Sequence, residues 1–121
     1  MGGGVMATTP FAPLLQSIIR HRGVTGVLLV GEDDGLVVDS VLQVGVNGAA
    51  FAALTASLYR KARRSAEAAG LGRTGYFELD AVDGRVLAAG KNELVFIVVA
   101  EARINVGLLR VELLKAVERL P

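Results

Sequence analysis

Apolar positions recur along this chain with two different periods, and the switches between them mark out eight elements. Phe11, Leu14, Leu15, Ile18 and Ile19 follow the i, i+3, i+4, i+7, i+8 spacing of a helix with one buried stripe. Thr9-Pro10 supplies its N-cap and first position, and Gly23 closes it. Val24–Gly31 reads as a strand, the acidic turn Glu32-Asp33-Asp34-Gly35 reverses the chain, and 36–42 returns as a second strand. Asn47 is placed to cap a long helix over 49–69. That helix carries a large stripe (Phe51, Leu54, Leu58, Ala62) beside a small one (Ala49, Ala52, Ala53, Ala56), so it is expected to pack on two neighbours. After Gly70-Leu71-Gly72, residues 74–82 and 85–90 form a hairpin across Asp83-Gly84. The apolar, β-branched run Leu94–Ala100 reads as a fifth, buried strand.

The last helix is predicted over 104–120, with Gly107 inside it. A helix-interior glycine costs roughly 1 kcal/mol relative to alanine, which predicts that this helix lies close against another backbone. The order is αββαβββα, an α/β (α+β) arrangement in which a single-layer, five-stranded, mainly antiparallel sheet carries helices on both faces. Residues 1–8, opening Met1-Gly2-Gly3-Gly4, are expected to be a flexible start, and 9–121 one domain.

Composition narrows the function. Hydrophobic residues make up 52% of the chain, with a mean hydropathy of +0.50. No stretch approaches the ~20 apolar residues that span a bilayer, so membrane insertion is not expected. The surplus is expected to be hidden in a homodimer or complex interface. A net charge of +1 and six aromatic residues without tryptophan argue against nucleic acid as a partner. With no cysteine there is no disulfide, thiol nucleophile or cysteine metal site, which fits a cytoplasmic protein. The amino terminus lacks the basic and apolar regions of a signal peptide.

The chemistry-bearing residues form no catalytic set. His21, the only histidine, ends a helix beside Arg20 and Arg22, where cations suit the macrodipole. Glu32, Asp33 and Asp34 are consecutive, whereas a calcium loop spaces its ligands over about twelve residues. Gly70, Gly72 and Gly75 match G-x-G-x-x-G literally, but after a helix and before a strand, the reverse of the dinucleotide arrangement. No nucleophile–base pair is apparent, so neither an enzyme nor a cofactor is expected. Arg60, Lys61, Arg63 and Arg64 stand apart, because at 100° per residue they gather on one side of the central helix. They read either as a solvated helix end or as an electrostatic docking patch for an acidic partner.

The order of elements and two passages, 26–40 (strand, acidic turn, glycine, strand) and 102–110, resemble the Roadblock family, the dynein light-chain Roadblock proteins and their bacterial relatives. The resemblance spans nearly the whole chain. It implies a non-enzymatic homodimer paired through the central helix and third strand, serving as a platform for a Ras-like small GTPase or for a signalling or motor complex. On that implication the dimer contacts fall on Ala49, Ala52, Ala53, Ala56 and Tyr59 of the helix and on Thr74, Tyr76 and Glu78 of the strand. The alternative is a small-molecule sensory domain of profilin-like fold, which needs a pocket with convergent polar groups.

Overall fold

Residues 9–121 are described by the computed structural model. They form α1 (Ala12–Ile19), β1 (Val24–Gly31), β2 (Val37–Leu42), α2 (Gly48–Ala68), β3 (Tyr76–Ala81), β4 (Gly84–Lys91), β5 (Leu94–Ala100) and α3 (Val106–Glu118). The expected order αββαβββα is therefore the observed one. The strands make one sheet in the order β2-β1-β5-β4-β3, and every neighbouring pair is antiparallel rather than most of them.

The three central strands are apolar at every position because both sheet faces are covered. Val27 and Leu29 of β1, Leu87 and Ala89 of β4, and Phe96 and Val98 of β5 point to one face. There they meet Leu15 and Ile18 of α1 and Leu109 and Leu113 of α3. The alternate residues, Leu28, Val30, Val86, Ala88, Val95 and Ile97, meet Ala52, Ala56 and Tyr59 of α2 on the other face. That alternation is the period-2 geometry of a strand read from both sides.

Local chemistry sets the helix ends. Asn47 caps α2 as expected, its Oδ1 accepting the Ala50 N–H at 3.1 Å. Asn105 does the same for α3 through the Leu108 N–H at 3.2 Å, so that helix begins at Val106 rather than at Ile104. Gly107 consequently lies in the first turn and is exposed; a β-carbon there would meet only Asn105 Oδ1, at 3.6 Å. The close approach expected at Gly107 is absent. It occurs at Gly90, where a β-carbon would lie 2.5 Å from the Tyr59 hydroxyl oxygen and 2.8 Å from Cζ. Thr9 does not cap α1 either, since Phe11 is the N-cap residue. The Thr9 hydroxyl instead donates to the Asp39 carboxylate of β2, fastening the entry of α1 to the sheet edge. The expectation for residues 1–8 lies outside the described residues.

Candidate interaction surfaces

The three faces of α2 determine which sequence candidates can meet a partner. Gly48, Ala52, Thr55, Ala56 and Tyr59 are buried on the protomer's own sheet. Ala52 and Ala56 are 0% exposed and Tyr59 1%, so these three are corrected from dimer contacts to core residues. The small side chains let the helix settle close to the sheet, and the gap at Gly90 receives the Tyr59 ring. The Tyr59 hydroxyl donates to the Thr74 carbonyl at 2.9 Å, tying α2 to the segment that leads into β3. Burial, then the nearby Glu32 charge, pushes that hydroxyl's pKa up. Ala49 and Ala53 remain exposed.

The large stripe lies on the side of α2 that looks toward β3. Leu54 is 50% exposed, and Phe51, Leu58 and Ala62 are half-buried. Beside it runs a groove of about 450 Å³ walled mainly by Phe51, Leu54, Leu79, Ala81, Val86 and Val99. Small and large stripes thus exchange the roles that closeness of packing suggested from sequence.

β3 is a free sheet edge whose register against β4 runs from Tyr76↔Ala89 to Ala81↔Gly84 without a shift. Thr74 precedes it, half-buried, its hydroxyl 3.4 Å from the Ala62 carbonyl. Tyr76 and Glu78 turn toward α3: the Tyr76 hydroxyl donates to Glu78 Oε1 at 2.8 Å, and Arg110 Nη2 lies 3.5 Å from the same oxygen. The Arg110 guanidinium sits 5.3 Å from the Tyr76 ring centroid. Burial pushes the Tyr76 pKa up to about 12 against the pull of Arg110. The hydrogen bond from Tyr76 holds the Glu78 carboxyl below its ordinary value. Both side chains are therefore committed within the protomer, and what β3 leaves free is its backbone edge.

The basic cluster divides in two. Arg60 Nη1 donates to the Glu32 carbonyl at 2.6 Å, and Arg63 forms an ion pair with the Glu32 carboxylate, only 3% exposed, while Arg63 Nε stands 3.9 Å from Glu67. These two arginines fasten the β1–β2 turn onto α2, so Arg60 and Arg63 are corrected from free docking cations to structural ties. Lys61 and Arg64 are exposed and have no ion-pair partner among the described residues. The acidic turn was legible in sequence, but its pairing with α2 joins residues about thirty positions apart, beyond any periodicity argument. Among the described residues no group of three or more histidine, aspartate or glutamate side chains is placed to hold a metal ion, and no helix is long and apolar enough to cross a membrane.

A sheet clad on both faces, with a free regular edge beside an apolar helix stripe, is the architecture of a protein-interaction domain. The Roadblock/LC7 domain profile matches residues 11–101, and the chain belongs to that family. An uncharacterised protein of Methanocaldococcus jannaschii is 27% identical over 107 residues, 88% of this chain and 93% of the relative. Among solved structures, Myxococcus xanthus MglB is similar with a TM-score of 0.81 and 18% identity, over 93% of each chain. The Roadblock/LC7 domain from Streptomyces avermitilis is similar with a TM-score of 0.78 and 18% identity, over 87% of this chain and 89% of that one.

Proposed function

We propose that this protein is a non-enzymatic adaptor that works as a homodimer and binds a Ras-like small GTPase. The observation that carries the dimer is the difference between the two sheet edges. β3 offers an unshifted ladder flanked by exposed Leu54 and the apolar groove. β2 is blunted by a bulge, its register jumping between Leu29↔Asp39 and Val30↔Val37. Pairing two β3 edges would join the sheets of two protomers and cover the Phe51, Leu54 and Leu58 stripes. The GTPase rests on membership of the Roadblock/LC7 family and on the resemblance to GTPase-regulating relatives, with Lys61 and Arg64 as the outward cations of α2.

Light scattering tests the dimer: wild type is expected near twice the 12.6 kDa chain mass, and Leu54→Glu near the chain mass with its fold intact. A wild type that stays monomeric at high concentration overturns the reading. Affinity capture of a GTPase from the native source tests the partner, and recovery of none defeats that part alone. A second reading is supported by Thr25, Asp83, Arg85 and Glu101, which bring polar groups to the groove and would suit a small ligand. Native mass spectrometry showing a bound metabolite would favour it.

A further inference from the structure

The end of the molecule opposite β3 carries an apolar surface that neither the core nor the proposed dimer uses. Leu36, Val37, Val38, Leu42 and Val44 are all exposed, Leu36 at 67% and Val44 fully. Five large apolar side chains within nine residues exceed the scattered exposure normal on a surface. The backbone here is closed to another strand. Val38 is the extra residue of the bulge. Gln43 N–H bonds back to Thr25, so alternation turns the Ser40 N–H toward the free edge, and the Asp39 carboxylate takes it at 2.8 Å. An edge that refuses main-chain pairing yet exposes apolar side chains must be read through side chains.

Charge specifies the reader. Between Gly23 and Tyr59 the sequence has four acids (Glu32, Asp33, Asp34 and Asp39) and no lysine, arginine or histidine. Arg63 neutralises Glu32 alone, while Asp33 and Asp34 stand exposed at the β1–β2 turn beside Leu36. We infer that this acidic, apolar edge docks a basic amphipathic helix of a partner protein, its apolar stripe on Leu36, Val38 and Val44 and its cations toward Asp33 and Asp34. At ~3.3 Å per strand residue, 36–44 spans about 26 Å, the length of about 17 helical residues.

The inference does not rest on the dimer, because β2 and β3 are opposite edges of the sheet. The probe is a leucine–lysine amphipathic peptide of about 18 residues, long enough to cover the edge, with a leucine–glutamate peptide of the same spacing as control. Titration followed by amide chemical shifts is expected to show changes at 36–44 with the lysine peptide and none with the glutamate peptide. Added salt should weaken the lysine peptide. The exposed triple variant Leu36→Ser, Val38→Ser, Val44→Ser is expected to bind about tenfold more weakly, as loss of apolar anchors implies, with its mass by light scattering unchanged. Equal binding of the two peptides, undiminished binding by the triple variant, or shifts confined to β3 and the groove would overturn it.

Discussion

Gly90 and Gly107 show how one residue type is used for opposite reasons. At Gly90 the missing β-carbon is the space that holds the Tyr59 ring. Gly90→Ala is expected to lower stability by about 1–3 kcal/mol through overpacking. Gly107→Ala, in open space at the start of α3, should be neutral or gain up to about 0.5 kcal/mol from helix propensity. Thermal melts of the two variants should move in different directions or by clearly different amounts. Tyr76 makes a second prediction at this scale. Its folded pKa stands raised from 10.0 to about 12, so the un-ionised form favours the fold. That contribution is complete below the unfolded pKa and is lost as pH rises through the folded value. Stability should therefore fall between about pH 10 and pH 12, and Tyr76→Phe should flatten that limb of a denaturation-versus-pH curve. Glu78, held low chiefly by Tyr76, contributes stability that is lost as pH falls through the acid range.

Between elements, the tie from the β1–β2 turn to α2 separates two arginines one position apart. Arg63→Ala leaves the buried Glu32 carboxylate without its counter-charge and is expected to cost about 3 kcal/mol. Arg64→Ala, at an exposed and unpaired position, should change stability by no more than about 0.5 kcal/mol. Urea midpoints of the two proteins decide this, and equal effects would return both arginines to a solvated helix face. The asparagine caps are a milder element-scale feature: Asn47→Ala and Asn105→Ala should each cost about 1 kcal/mol.

For the whole molecule, the division of α2 into an inner small face, a side stripe of large residues and an outer cationic turn predicts three separable outcomes. Ala56→Glu places a charge in the core and should unfold the domain. Leu54→Glu should dissociate the proposed dimer. Lys61→Glu with Arg64→Glu should leave fold and mass unchanged while slowing association with an acidic partner. Stopped-flow rates that fall at low salt and converge with wild type at high salt are expected. Rates insensitive to the reversal would remove these two residues from the partner surface.

The strand Leu94–Ala100 and the strand Val24–Gly31 were legible to the residue because a doubly covered strand must be apolar throughout. The long helix was legible because Asn47 breaks the strand pattern and can cap a helix beginning at the next residue, and the hairpins because Asp-Gly pairs suit tight turns. These are short-range constraints, and the element order and the family resemblance rest on them. Which stripe of α2 faces inward was not among them. Both stripes are apolar, and only the fit of Ala52, Ala56 and Tyr59 against Gly90 and the sheet chose between them. Likewise Arg60 and Arg63 look like free surface charges until the fold brings Glu32 to them. Periodicity reports that a face is apolar or charged; tertiary structure decides what that face meets, because the partner comes from a distant part of the chain.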